Sequence, residues 1–329
     1  MNQTLNNLQS VDNDETQTLA TLCKACADPL RLNILRVLSR DSFAVQELCQ
    51  ILDHKQSGLS HHLKILANAG WVNTRREGNT IFYRRAAITL LGPQQQLRQA
   101  LLINIDGLPL TESTQHQLAA VKEQRAERSR AFFRQHSDQF SQQQEQIASF
   151  DVYASHAASM IELAASPTAT ILEVGPGEGN FLSALAPLFR KVYALDNSEA
   201  MLDKARRFAK DQQLHNVEFI HGDTQHPSLE ALSIDVIAIN MVLHHIASPS
   251  DIFVDLFQRL SENGHLYVTD LCKHEEAWVQ DACGDLWQGF EPEELKNWAE
   301  AAGFIEGQSM YLTQLNGFRI QIREFIKPQ

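Results

Sequence analysis

Cations are under-represented in this chain: 28 Lys and Arg stand against 40 Asp and Glu, a net charge of -12 over 329 residues. That balance excludes a protein that binds nucleic acid over its whole surface. Cysteine is scarce, and its count of 5 is odd. A fully paired disulfide framework is therefore excluded, and the count points to reduced thiols. No apolar run approaches the roughly 20 residues needed to cross a bilayer, and no basic start followed by an apolar stretch opens the sequence. A soluble, cytoplasmic chain with no membrane partner follows as an expectation. The Asn/Gln-rich stretch Met1 to Asp14 reads as a frayed tail.

What is there is unevenly placed. From Asp28 to Arg85 nine Lys/Arg face five Asp/Glu, a local balance of +4 that leaves -16 for the rest. A modestly basic module carried on an acidic body suits DNA docking at one end and another task elsewhere. The length is about twice that of a typical domain of roughly 150 residues, so two folding units are expected.

Helical periodicity runs from Thr16 to Cys26, and Asp28 followed by Pro29 reads as an N-cap and first-turn proline opening a new helix. Leu30, Ile34, Val37 and Leu38 share one face of that helix, Asp41 and Ser42 mark a turn, and Val45, Leu48, Cys49 and Leu52 form a third helix. Ser57 is placed to cap a fourth helix. Its Leu59, Leu63 and Leu66 point inward, leaving Gln56, Ser60, His61, His62 and Lys64 on the outer face. A recognition helix needs this division, because the apolar stripe fixes it while polar residues reach base edges in the major groove. The runs Trp71 to Arg76 and Thr80 to Arg85 alternate like two strands about Gly78 and Asn79, which makes a wing. Arg75, Arg76, Arg84 and Arg85 flank it as candidate phosphate contacts.

The stretches CKACADPLRLNILRVL, LSHHLKILANAGWV and RREGNTIFYRR resemble the ArsR family of winged helix-turn-helix regulators over about Thr16 to Arg85. The resemblance implies a homodimer on double-stranded operator DNA. Many relatives sense metals through paired cysteines in the third helix, whereas this chain has Cys49 alone there. Adjacent His61 and His62 diverge by about 100° on a helix, and Cys23 and Cys26 sit in an apolar helical pattern with Leu19 and Leu22. No metal site is expected.

Between Gly92 and about Phe133 the composition turns to Gln, Glu, Arg and Ala, broken by DGLP at Asp106 to Pro109. Two helices and a break are expected. Leu97, Leu101 and Leu102 are candidates for a dimer-forming helix, and Arg125 to Phe140 for a helix leading into the next domain. The division is 15–92 for the DNA-binding module, 93–133 for a helical dimerisation or linker segment, and 134–329 for the second domain.

Beyond the linker, apolar runs recur at Thr170 to Val174, Lys191 to Leu195, Val217 to Ile220, Ile234 to Ile239 and His265 to Thr269, each followed by a helical stretch. That alternation predicts a parallel sheet covered on both faces. Ser309 to Thr313 and Phe318 to Phe325, joined through Asn316 and Gly317, predict an antiparallel hairpin. The fold class is thus a small α+β winged helix followed by a Rossmann-like α/β sheet with a terminal hairpin. The first strand leads into Glu173, Gly175, Pro176, Gly177, Glu178 and Gly179, with a helix expected from Asn180. Glycines permit the tight turn and let backbone N–H groups approach a ligand. Asp196 closes the second strand, where a carboxylate can take both ribose hydroxyls, and Gly222 and Asp223 close the third.

These signals, with ILEVGPGEGNFL, VYALDNSEAML, FIHGDT and IDVIAINMVLHHI, resemble the class I methyltransferases that use S-adenosylmethionine, over about Arg125 to Lys327. The resemblance implies a seven-stranded sheet that binds S-adenosylmethionine or S-adenosylhomocysteine. Carried over, Gly175, Gly177 and Gly179 cradle the methionine moiety and Glu173 orients the loop. Asp196 and Asn197 hold the ribose, Asp223 and Thr224 the adenine, and Asn240 and Met241 lie near the sulfonium. Methyl transfer is an in-line displacement that needs positioning more than a base. The catalytic candidates are therefore few: His244 and His245 first, with Asp270 and Tyr153 behind them. Fusions of this kind include repressors that respond to S-adenosylhomocysteine, which implies a regulator whose second domain modulates DNA affinity. The alternative is an active methyltransferase on a small-molecule acceptor, with the winged helix regulating its own operon.

Overall fold

A computed structural model describes residues 15–86, 93–276 and 278–329. The expected tail Met1 to Asp14 and the end of the first module lie outside the described residues. The chain divides into two compact units, Met1–Glu123 and Gln124–Gln329. No described helix is long and apolar enough to cross a membrane.

The first unit opens with helix α1 over 15–26, followed by α2 (Pro29–Val37), β1 (Phe43–Ala44), α3 (Val45–Leu52), α4 (Gln56–Asn68), β2 (Val72–Glu77), β3 (Thr80–Arg85) and α5 (Pro93–Asp106). The cap at α2 is as expected: the Asp28 carboxylate accepts the Arg31 N–H at 3.0 Å, with proline in the first turn. At α4 the expectation fails. The helix begins at Gln56, its N-cap is Lys55 without a side-chain bond, and Ser57 lies inside the first turn. The wing is β2 against β3, joined at Gly78, whose φ is +55°. Strand β1 was not foreseen; it is two residues long and pairs Phe43 with Tyr83, giving the sheet order β1-β3-β2. Ile34, Leu35, Leu48, Leu59, Leu63 and Leu66 meet in one core. Each such side chain contributes about 1.5–3 kcal/mol on burial. Trp71 packs there with its indole N–H donated to the Leu22 carbonyl at 3.1 Å. Of the CxxC pair, Cys23 is exposed and Cys26 buried, and burial pushes the Cys26 thiol up to about 12, so it packs as an apolar group.

Helix α6 (Glu112–Ile147) follows the DGLP break and carries the boundary between the units. The second unit continues with α7 (Phe150–Glu162), β4 (Thr170–Val174), α8 (Leu182–Leu185), β5 (Lys191–Asp196), α9 (Glu199–Asp211), β6 (Val217–His221), β7 (Ile234–Asn240), α10 (Pro249–Arg259), β8 (Leu260–Leu271), α11 (Trp278–Cys283), α12 (Pro292–Ala302), β9 (Ile305–Thr313) and β10 (Arg319–Ile326). Seven strands form one sheet in the order β6-β5-β4-β7-β8-β10-β9. β4 through β8 are parallel, and β10 runs antiparallel between β8 and β9. Every residue of β4 is buried, because it lies between β5 and β7 inside the sheet and is covered on both faces. The order reverses between β4 and β7, and in sheets of this kind the crevice at such a reversal, beyond the carboxyl ends of the strands, is where ligands bind.

Candidate functional site

In the first unit, α4 presents Gln56, Ser57, Ser60, His61 and Lys64 to solvent. His62 is half-buried instead, with Nδ1 3.4 Å from Arg31 Nη1 and 3.7 Å from the Asp28 carboxylate, so it braces α2 against α4. In the wing, Arg76 is exposed and Arg84 half-buried. Arg75 departs from expectation: it is 7% exposed and its guanidinium is paired with Glu77, itself 1% exposed. Residues two apart share a strand face, and here that face is the covered one. Arg85 is likewise used internally, holding both carboxylate oxygens of Asp106 at 2.8 and 2.5 Å. Of the wing arginines, Arg76 is the exposed one and Arg84 is half-buried, whereas the Arg75 and Arg85 guanidiniums are engaged by carboxylates of the same unit.

In the second unit the turn after β4 explains its glycines. Gly175, Gly177 and Gly179 have φ of +69°, +57° and +93°, a region costly for other residues. A Cβ on Gly175 would stand 2.5 Å from Val242 Cγ2, and one on Gly179 would stand 3.0 Å from the Ala205 backbone. A Cβ on Gly177 would meet nothing within 4 Å, so this glycine keeps its face open. The following helix starts at Leu182, later than Asn180, because residues 177–181 are spent on the turns.

The carboxyl edges of the strands bring the other predicted residues to the same side of the sheet. Burial pushes the Glu173 carboxyl up to about 8, against the pull of the Asn240 side chain. Among the described residues, Glu173 Oε2 and both polar atoms of the Asn240 amide, though neighbours, are buried without a hydrogen bond of full geometry. Buried polar atoms of this kind require an explanation, and a polar ligand supplies one. Burial also raises the Asp196 carboxyl to about 6, while the Ser198 N–H it accepts at 2.8 Å pulls the other way. Asn197 is exposed beside it, and so is Asp223, which accepts the Gln225 N–H at 3.0 Å. Thr224 is tied down differently from expectation, its hydroxyl donating to Asp255 at 2.8 Å. Met241 follows β7 with φ +55°, its N–H donated to the Thr269 carbonyl at 2.8 Å. Open space at Gly177, buried unmet polarity at Glu173 and Asn240, and a carboxylate at Asp196 fit an adenosyl amino acid.

Beside this edge, His244 and His245 lie in a short 3-10 turn and are both buried. His244 Nδ1 stands 2.8 Å from Asp270 Oδ1, and its Nε2 stands 3.9 Å from Asp285 Oδ1. Burial disfavours the imidazolium, yet the Asp270 and Asp285 carboxylates outweigh it and hold His244 at about 9. Burial and the neighbouring His244 charge hold His245 well below the usual histidine range. Tyr153 is pushed up by burial and by Glu173, Glu145 and Asp270, so it keeps its proton. Sequence reading missed Asp285, which no local motif marks. Leu286 and Trp287 each donate a backbone N–H to the His244 carbonyl, at 3.0 and 3.1 Å, which sets Asp285 opposite the histidine pair.

Two kinds of protein are therefore joined in this chain, a winged-helix DNA-binding regulator and a methyltransferase domain of the class I fold. The pattern of the bacterial regulatory protein, arsR family, matches residues 28–74, and that of a methyltransferase domain matches residues 165–309. The transcriptional activator HlyU of Vibrio cholerae is 42% identical over 77 residues, covering 23% of this chain and 70% of that protein. The chain belongs to the arsR family of regulators and carries a methyltransferase domain fused to it. A ubiquinone biosynthesis O-methyltransferase of Coxiella burnetii is 27% identical over 146 residues, 40% of this chain. The match spans 62% of that enzyme's length. The crystal structure of the N-methyltransferase NodS from Bradyrhizobium japonicum, in complex with S-adenosyl-L-homocysteine, superposes with a TM-score of 0.50 at 14% identity. It covers 61% of this chain and all of that one, and the likeness is one of fold.

Proposed function

We propose that this protein is a transcriptional regulator whose methyltransferase domain binds S-adenosylmethionine or S-adenosylhomocysteine and uses the bound nucleoside to shift affinity for operator DNA. The observation that carries the reading is the open Gly177 beside the buried, unmet polar atoms of Glu173 and Asn240. In this reading Gly175, Gly177 and Gly179 bed the amino acid part of the ligand. Asp196 and Asn197 take the ribose, Asp223 with Thr224 borders the adenine, and Asn240 and Met241 face the sulfur. Gln56, Ser57, Ser60, His61 and Lys64 meet DNA from α4, with Arg76 and Arg84 from the wing. The working division is 15–92 for DNA, 93–133 for dimerisation and 134–329 for the nucleoside. A homodimer is supported by α5, which leaves Leu97 and Ile103 40% and 64% exposed while Leu102 packs into its own core. A coupling of about 1–3 kcal/mol between nucleoside and DNA suffices for such a switch.

The second reading, methyl transfer to a small molecule, is favoured by the His244–Asp270 pair at the mouth of the same edge. That pair is poorly tuned as it stands, since His244 keeps its proton at neutral pH and His245 is too weak a base. Sensing is therefore preferred. The test is titration of promoter DNA binding by the purified protein with each nucleoside. A change in DNA affinity of at least about fivefold, without methyl consumption, is expected. Unchanged affinity with both nucleosides bound refutes the sensor.

A further inference from the structure

We propose that His244, His245 and Asp285 form a binding site for a divalent transition-metal cation, distinct from the nucleoside positions. One potential ligand atom from each lies within 4.8 Å of the others, and all three residues are buried. Asp285 Oδ1 is 3.6 Å from His245 Nδ1 and 3.9 Å from His244 Nε2. Ligands roughly 2.0–2.2 Å from a four-coordinate metal stand about 3.3 Å apart, so these two gaps close by about half an ångström.

The surroundings are built as metal sites are built. His244 Nδ1–H donates to Asp270 at 2.8 Å, which orients the ring and leaves Nε2 on the side of Asp285, 3.9 Å from its carboxylate. The loop bearing Asp285 is pinned by its two N–H bonds to the His244 carbonyl, between Gly284 and Gly289 at φ +72° and +67°. Two carboxylates, Asp270 and Asp285, are buried with two imidazoles, and a dication bound among them offsets the two negative charges. Two nitrogens and one oxygen, with no thiolate, suit Zn²⁺, Co²⁺, Fe²⁺ or Mn²⁺. Mg²⁺ and Ca²⁺ prefer all-oxygen sets. Residues 245 and 285 are too far apart in sequence for spacing to betray the site, which is why no metal was expected from it.

The full-length protein, stripped with a chelator and kept reduced, is titrated with Co²⁺ while visible absorption and heat are followed. One equivalent per chain is expected, with ligand-field bands and no thiolate charge-transfer band. Asp285→Asn and His245→Gln should each weaken Co²⁺ binding by at least about tenfold, with circular dichroism confirming the fold. A Cys23→Ser, Cys26→Ser double variant should bind as the parent does. Absence of stoichiometric binding, retention of affinity in folded Asp285→Asn, or loss in the cysteine double variant overturns the site. Should both ligand variants misfold, the parent spectrum alone decides: a thiolate band refutes the assignment and its absence at one equivalent sustains it. Neither DNA nor nucleoside enters the assay, so its failure leaves the regulatory reading untouched.

Discussion

Alanine at Gly177 and at Gly175 should separate ligand contact from loop architecture. Both positions are left-handed, so each alanine costs about 1–2 kcal/mol in backbone strain, offset by roughly 0.4–1 kcal/mol through a less flexible unfolded chain. At Gly175 the new methyl also meets Val242, 2.5 Å from Cγ2, and overpacking of this kind adds about 1–3 kcal/mol. At Gly177 the methyl meets nothing within 4 Å of the protein. Calorimetry of the full-length chain should therefore show a clearly larger loss for Gly175→Ala than for Gly177→Ala, the latter near 1 kcal/mol. S-adenosylhomocysteine titration should show the reverse emphasis. Gly177→Ala, though almost fully stable, is expected to lose at least tenfold in affinity, about 1.4 kcal/mol, because its methyl occupies ligand space. Parent-like affinity in Gly177→Ala would refute the placement of the nucleoside over this turn.

Glu173→Gln tests the buried carboxyl. Its folded pKa of about 8 lies above the ordinary 4.5, so the ligand-free parent loses stability as pH rises from about 4.5 to 8, and the glutamine does not. Ligand-free Glu173→Gln should melt above the parent at pH 8, with the gap shrinking toward pH 5; a pH-independent difference would contradict the burial argument. In the wing, Arg76→Ala should lower the slope of log affinity against log salt by about one, measured on promoter DNA, while an unchanged slope removes Arg76 from the interface. Arg75→Ala should instead lower the melting temperature of the first unit, since it removes a buried guanidinium paired with the buried Glu77 carboxylate, and an unchanged melting temperature would contradict that pairing. Ile103→Asp, placed on an exposed apolar position of α5, should shift sedimentation from dimer to monomer, and a persistent dimer would move the interface elsewhere.

Period and punctuation made most of the architecture readable. Asp28 with Pro29, the inward leucines of α4 and the five apolar runs of the sheet all report local rules, and local rules survive folding. The glycine turn was legible because three glycines in one strand-to-helix connection have few other uses. What escaped depended on contacts between distant segments. Arg75 looked like its neighbour Arg76 until the fold decided which face of β2 is covered. Asp285 lies in an irregular loop with no periodicity, and bonds to a distant segment, among them those from Leu286 and Trp287 to the His244 carbonyl and from the Trp287 indole to the Ile246 carbonyl, bring it to the histidine pair. Ser57 was credited with a capping role because serine is a common cap, yet the backbone turned helical one residue earlier.

The position of β10 sets an order of events during synthesis. It is made after β9 but lies inside it, so β9 has no ladder partner until β10 has been translated. Meanwhile β8 offers an unpaired edge, including the backbone of Tyr267, Thr269 and Leu271 that will later meet Glu324, Ile322 and Ile320. A nascent chain in that state exposes a template for unwanted pairing. Slow codons or stalling between β9 and β10 should thus favour aggregation, and stalling before β4 should not.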